Sequence, residues 1–462
     1  MKPVRNLILL LLAVSYFACT KESFTSDSSA VLKTSVDTLH FDTVFTSTGS
    51  TSQFIKIFND NNKGVHISSV RLLGGSNSAF KINVDGLPGP QVNYVDVAAD
   101  DSAYIYVTVS INPTAANLPF IVRDSIEITS NGNKRTVQLD AFGRNAHFFR
   151  NRIIKNSETW DNDLPYVILG GITVDTNAIL TINKSCQVYS HADAPFIVNG
   201  SLQVNGEKYD STRVVFTGDR LDEPYKDFPA SYPGLIFNDV SRNNVINYAI
   251  IKNAYQGVVV VNPAAGTKLS LNETIIDNAY DIGLLGLNTS ISARNLLVSN
   301  CGKNIVLAAG GNYNFVHCTA ATYSTNFIQH KDPVLTVTNY LNTYAGDLNA
   351  TFRNCIFWGD ANGIVKDEVV VLKQGAMAFN VAFDQVLWRV QTAPANSTIS
   401  GAINNQNPMF DSVNTSQKMY SFRLKQGSPA IDKGANAGVS SDLDGKPRPV
   451  GTKPDLGAYE RQ

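Results

Sequence analysis

The feature that most constrains this chain is a phrase that keeps coming back. Residues 248–257 read YAIIKNAYQG, 273–283 read ETIIDNAYDIG, and 294–305 read RNLLVSNCGKNI. Asn253, Asn278 and Asn300 fall at steps of 25 and 22 residues (278 − 253 and 300 − 278). Aligned on these asparagines, the position two before holds Ile251, Ile276 and Val298, and three before holds Ile250, Ile275 and Leu297. One after, Ala254, Ala279 and Cys301 are all small. A period in the low twenties, carried by β-branched residues without helix signals, predicts a solenoid of strands. In a parallel β-helix the coils stack about 4.8 Å apart, so a column in the alignment becomes a ladder in space. An asparagine repeated at a corner can pass amide hydrogen bonds from coil to coil. The consensus of a leucine-rich repeat is absent.

The same reading extends both ways. Residues 170–208 run as short strands broken at Asn199-Gly200 and Asn205-Gly206, as expected of narrow first coils. FRNCIFWG (352–359) repeats the Asn-Cys pair of the third phrase. The period blurs after residue 320, which predicts insertions in the later coils.

Ahead of the repeat, residues 36–145 have another rhythm. In SAYIYVTVSI (102–111), Ile105, Val107, Val109 and Ile111 alternate with Tyr104, Tyr106, Thr108 and Ser110, the signature of a half-buried strand. Residues 124–143 read as a hairpin turning at Asn131-Gly132, with Ile126 and Ile128 paired with Val137 and Leu139. Further strands are expected at 52–59 and 65–73. Short strands with turns and no helical period describe a β-sandwich, and no Cys…Trp…Cys spacing marks an antibody-type domain. The segment resembles the immunoglobulin-like modules that precede repeat domains in bacterial surface proteins, and it reads as a spacer or docking module.

At the C-terminus, NPMF (407–410), FRLKQGSPAIDKG (422–434), SDLDGKPRP (441–449) and DLGAYE (455–460) follow in order. Together they resemble the closing segment of exported bacterial parallel β-helix proteins, where it ends the last coils and covers the open end. The resemblance implies an all-β chain: an N-terminal Ig-like β-sandwich followed by a right-handed parallel β-helix over 150–462, closed by 405–462. Members of that architecture range from adhesins to polysaccharide enzymes, so function does not follow from it.

The N-terminus reads as an export signal, with Lys2 and Arg5 before a short apolar run from Leu7 to Val14. The following SYFAC resembles a bacterial lipoprotein signal in which Cys19 is lipidated. Residues 20–35, rich in Ser and Thr, are expected to form a flexible tether. The implied location is the Gram-negative outer membrane, lipid-anchored and facing the periplasm or the cell surface. The chain carries 38 basic and 39 acidic side chains with net charge −1, and no basic run, which argues against nucleic acid as a partner. Cys186, Cys301, Cys318 and Cys355 contain no CxxC spacing, so they are expected to be buried thiols rather than zinc ligands, with a disulfide as the alternative.

Candidate chemistry is sparse. The loop 217–234 offers Asp219, Arg220, Asp222, Tyr225 and Tyr232 as a sugar-binding set, since tyrosines and carboxylates suit stacking and hydroxyl hydrogen bonds. Between 245 and 320 the acids are Glu273, Asp277 and Asp281. Asp277 aligns with Lys252 one coil before, which predicts an ion pair on an exposed face. Asp442-Leu443-Asp444-Gly445 raises calcium, but a third ligand position and a distal Glu are missing; caps and a pairing with Arg448 are the simpler expectation. No metal-ligand spacing, P-loop or GxSxG is present, so no cofactor and no catalytic residue is assigned. The sequence points to a lipid-anchored, non-catalytic envelope protein whose solenoid binds a glycan or a surface protein through polar or aromatic stripes on one face. The alternative is a polysaccharide lyase or glycoside hydrolase, which needs at least two carboxylates, or a carboxylate cluster with Arg or Lys, converging from neighbouring coils.

Overall fold

The computed structural model describes residues 22–46, 49–112 and 120–462; the stretch expected to be an export signal and Cys19 lie outside them. Among the described residues there is no α-helix, and no helix long and apolar enough to cross a membrane. The chain forms two compact units, one ending at Asn145 and one beginning at Ala146.

The first unit holds a six-stranded and a five-stranded sheet around one apolar core. Ile105, Val107, Val109 and Ile111 are buried, as their alternation requires. The hairpin Phe120–Ser130 with Asn133–Arg144 turns at Asn131 (φ 48°) and Gly132 (φ 78°). Ile126 stands opposite Val137, but Leu139 faces Asp124 and Ile128 faces Arg135. The pairing is set by the tight turn, and it offsets the apolar residues diagonally. The tether expected over 20–35 is not a tether from residue 24 onward. Phe24–Thr25 pairs with Gly64 and Val65, the Phe24 ring stacks on His66 at 4.2 Å, and Lys33–Thr34 pairs with Ile57 and Phe58. Ala30 and Leu32, apolar among hydroxyl residues, drop into the core and anchor this arm.

The second unit is a solenoid, a parallel sheet of 26 strands in three ladders. The first ladder runs through Phe196–Val198, Leu235–Phe237 and Gln256–Val261; the second through Ser201–Asn205, Asn244–Asn247 and Leu269–Asn272; the third through Val214–Gly218, Ala249–Lys252 and Ile275–Asp277. The columns of the repeat are register partners: Ile250, Ile275 and Leu297 stack, as do Ile251, Ile276 and Val298. Inside the coils the second ladder stacks Ala293, Phe315, Phe352 and Phe383, the last three with ring centroids 5.3 and 5.0 Å apart. A buried phenylalanine contributes about 1.5–3 kcal/mol by removal from water alone, so such columns hold the coils in register. The insertions expected after residue 320 are loops between Thr319–Thr322 and Leu335–Thr338 and between Ile356–Gly359 and Val369–Leu372. Cys186, Cys301, Cys318 and Cys355 are free and buried.

The closing segment does not sit over an open end. It lies along the flank, where Ala430, Leu443, Leu456 and Ala458 pack on Leu297, Ala321, Ile356 and Leu387 of successive third-ladder strands. The reason is a polar corner between the second and third ladders. There Glu273, Asn295, His317 and Asn354 all adopt positive φ, and the last three turn side chains toward this strap. Asn295 donates to Ser441 O at 2.8 Å, Asn354 donates to Ala435 O at 2.7 Å, and His317 Nδ1 lies 3.1 Å from Asp455 O. Each buried corner group needs a partner; the strap supplies one to Asn295, His317 and Asn354, while Glu273 is met by Arg294 and Asn295.

Candidate functional site

Outward-facing positions of the second ladder carry a run of polar side chains. Strand alternation puts Ala293, Phe315 and Phe352 inside, so their neighbours point out. Those neighbours form two columns: Ser290, Asn312, Asn349 and Asn380, and Ser292, Asn314 and Thr351. All but Asn380 floor a groove of about 950 Å³. A shallower hollow of about 320 Å³ continues it past Asn349 to Asn380 and Thr398. One wall is the turn at Pro263–Thr267, held by Ser290 Oγ donating to Gly266 O at 2.6 Å. Another is Tyr344, 51% exposed, whose hydroxyl accepts from Asn288 Nδ2 at 3.1 Å. Gly311 opens the central strand at φ 115°, and a Cβ there would sit 2.3 Å from Thr289 O; only glycine lets coils stack this closely. No Lys or Arg lines the groove, and its one carboxylate, Asp347, accepts from Ala378 N at 3.0 Å. Amides, hydroxyls and an aromatic wall can hydrogen-bond and stack on a neutral sugar chain, but one carboxylate does not make an acid and a base.

A second, smaller cavity of about 150 Å³ lies at the corner that the repeat announces. Asn253, Asn278 and Asn300 take φ of 65°, 54° and 51°, a left-handed turn that asparagine tolerates well. The expected amide relay forms at one step, Asn278 Nδ2 to Asn253 Oδ1 at 2.8 Å. At the next it is diverted, because Asn300 donates instead to Asp277 Oδ1 at 3.3 Å, which also accepts from Ser299 Oγ at 2.6 Å. Asp277 is therefore not half of an exposed ion pair with Lys252. Both side chains line the cavity together with Asp227, Phe327, Lys418 and Tyr420. Burial pushes the Asp277 carboxyl up, against the pull of Ser299, Asn300 and Lys252. The Tyr420 hydroxyl is buried without a partner. Because a raised carboxyl opposes folding once ionised, Asp277→Asn is expected to raise the midpoint of thermal unfolding at pH 7, with the gain vanishing toward pH 3. Equal gains at both pH values would sink this account.

The loop wall of that cavity rests on a buried ionic network. Phe327 meets Phe228 with ring centroids 4.7 Å apart. Three residues on, His330 is fully buried, with Nδ1 2.6 Å from Asp360 and Nε2 3.1 Å from Glu368, and Arg389 holds Glu368 at 2.5 Å. Burial alone would lower the imidazole, but the two carboxylates outweigh it and raise it to about 9. Sequence reasoning missed this set, since its members are 30 and 38 residues apart and share no motif.

The residues singled out from the sequence are dispersed. Asp219 binds His191 at 2.7 Å, with burial raising its carboxyl. Arg220 clamps Asp222 through two 2.7 Å bonds and lies 3.9 Å from the Tyr225 ring centroid, so the three form one exposed cluster. Tyr232 belongs to the apolar core, where its hydroxyl has no partner. The loop that carries them does reach the small cavity, but through Asp227 and the carbonyls of Lys226 and Asp227, which accept from Asn253 and Asn278. Glu273 is buried on Arg294 and Asn295, both at 3.0 Å, and Asp281 accepts from Gln256 at 2.8 Å. Asp442 accepts the amides of Asp444, Lys446 and Glu460, while Asp444 pairs with Arg423. The carboxylates of the DLDG turn are thus engaged, Asp442 as a cap and Asp444 in an ion pair. Among the described residues no group of His, Cys, Asp and Glu is arranged to hold a metal ion. The groove went unread, although the alternation in GNYNFV (311–316) was its signal.

No known family and no curated protein matches the chain. Among solved structures, the catalytic unit of a thermostable GH87 alpha-1,3-glucanase from Streptomyces thermodiastaticus is similar over 80% of this chain and 91% of its own, at 10% identity and a TM-score of 0.25. A family 123 glycoside hydrolase from Clostridium perfringens matches over 25% of this chain and 26% of its own, at 13% identity and a TM-score of 0.18. The periplasmic chaperone SfaE matches over 25% and 58%, at 7% identity and a TM-score of 0.18. Likeness at this level carries no functional argument.

Proposed function

We propose that this chain is an exported, lipid-anchored, non-catalytic glycan-binding protein, with an Ig-like module followed by a right-handed parallel β-helix that holds a neutral polysaccharide in the second-ladder groove. The observation that carries the reading is the double column of uncharged amides and hydroxyls, Ser290–Asn312–Asn349–Asn380 beside Ser292–Asn314–Thr351, walled by Tyr344. Such a surface offers regular donors and acceptors to a regular chain of hydroxyls, with no cation in its lining to demand a charge in return. The test is a screen of the purified full chain against neutral glycans, with a reducing-end assay on every binder. Binding without new ends is expected, and Asn312→Ala with Asn349→Ala should weaken it about tenfold or more, as two lost hydrogen bonds imply. Unchanged affinity in that double variant would remove the groove from consideration.

A second reading, a glycoside hydrolase or lyase, is favoured by one observation. Asp227 and Asp277, from a loop and a coil, line the same small cavity with Lys252 and Lys418. New reducing ends that vanish in Asp277→Ala would establish it. Anchoring has its own test: Cys19→Ala should abolish labelling by radioactive palmitate and release the chain from the membrane fraction. Labelling that persists would exclude Cys19 as the acceptor.

A further inference from the structure

The outer face of the five-stranded sheet in the first unit is not a bland spacer surface. Alternation that buries Ile55, Ile57, Ile105 and Val107 turns Phe54, Lys56 and Phe58 outward on Gln53–Asn59, and Tyr104, Tyr106 and Thr108 outward on Asp101–Val109. The register places Phe54 opposite Tyr106 and Lys56 opposite Tyr104. Three rings come together: Phe54 lies 5.6 Å from Tyr104 and 6.4 Å from Tyr106, and the two tyrosines stack at 6.1 Å with planes 17° apart. Phe54 and Tyr106 remain 54% and 45% exposed. That is a poor way to leave two large apolar side chains unless something covers them.

Apart from the Lys33–Asp60 pair at its edge, the charges on this face are lysines. Lys56 Nζ lies 5.1 Å from the centre of Phe58 and 5.4 Å from that of Tyr104, and Lys81 extends from the next strand, where it pairs with Thr108. Neither lysine has a carboxylate partner among the described residues. Lys33, opposite Phe58, is taken by Asp60 at 2.8 Å. No outward position on the two central strands carries an acid.

We propose that this aromatic–lysine face binds an acidic polysaccharide, with sugar rings stacked on Phe54 and Tyr106 and their carboxylates met by Lys56 and Lys81. Rings about 6 Å apart on one sheet face, with Phe54 tilted 59° to the two tyrosines, offer separate aromatic faces to neighbouring sugars, whose C–H faces lie on aromatic π-systems and whose carboxylates need ammonium partners. The chain's near-zero net charge provides no broad positive field of the kind that tracks a phosphate backbone, so two local lysines fit spaced sugar carboxylates better than a nucleic acid. The site is separate from the second-ladder groove, which has no lysine or arginine in its lining, and it does not depend on that reading.

Affinity of the purified full chain for alginate, measured against dextran and a (dT)20 oligonucleotide, tests the proposal. Alginate is expected to bind best and to be released by salt, because exposed charge pairs are screened. Phe54→Ala with Tyr106→Ala should weaken alginate binding about tenfold or more, the lower end of what one stacked ring contributes. Lys56→Gln with Lys81→Gln should weaken alginate binding and leave dextran binding unchanged. All four side chains point outward, so unfolding midpoints should not move, and Asn312→Ala with Asn349→Ala should leave alginate binding intact. Unchanged alginate affinity in either platform variant, or (dT)20 bound as tightly as alginate, would overturn the proposal.

Discussion

Arg448→Ala is expected to destabilise the solenoid unit by about 3–5 kcal/mol, the cost of stripping one partner from a buried ion pair. The guanidinium is fully buried and donates to Glu460 at 3.0 Å, to Asn295 Oδ1 at 2.9 Å and to Gly457 O at 3.1 Å. It ties the end of the strap to itself and to a corner of the coils. Without it, Glu460 keeps only the amides of Val450 and Asp455. Burial lowers the Arg448 pKa, opposed by the charges of Glu460, Asp442 and Asp455. The three tryptophans, Trp160, Trp358 and Trp388, all lie in the solenoid, so urea unfolding followed by their fluorescence reads this unit. Arg448→Met with Glu460→Leu should recover much of the loss, since removing both charges leaves neither member of the ion pair uncompensated. A single-variant effect below about 1 kcal/mol would show that the strap is not held by this pair.

The second large effect is a pH dependence. His330 stands at about 9 in the folded chain against 6.5 when unfolded. Its protonated form is therefore bound more tightly by the fold, and the stability it adds is complete below pH 6.5. That gain fades as pH rises and is gone above about 9. The gap corresponds to about 3 kcal/mol, lost between those limits. His330→Gln should remove that slope and bring the two proteins close together at alkaline pH. It should also loosen the loop bearing Phe327, whose base the imidazole joins to Asp360 and Glu368. Parallel stability curves for the two proteins between pH 6 and 9.5 would contradict the assignment.

How much of this was legible beforehand depends on how local each signal is. The stacking of Ile250 on Ile275 on Leu297 could be read directly, because a repeat compares the chain with itself. The burial of Ile105, Val107 and Val109 followed from period-two alternation in one strand. The same alternation at Asn312 and Asn314 was equally readable, but Asn349 and Asn380 come after long insertions, so no fixed period links the column. Tyr232 misled for a related reason: a tyrosine in a polar, proline-rich loop looks exposed, yet the chain returns to the first ladder at Gly234, and the ring falls inside. Ala30 and Leu32 were too few to stand out in a Ser/Thr-rich stretch, although two apolar residues suffice to pin an arm to a sheet edge.

The sequence by itself determined that the chain is all-β, that its larger part is a stack of parallel coils, and which residues of the repeat lie above one another. Those properties depend on neighbours in sequence and on a period, and both are written in one dimension. Tertiary structure alone decided where the strap lies, which loop walls the Asp277 cavity, and that two columns of amides and hydroxyls share one open groove. These rest on contacts such as Arg448 to Asn295, 153 residues apart, which form because buried polar groups at the corners must find partners wherever the chain can bring them.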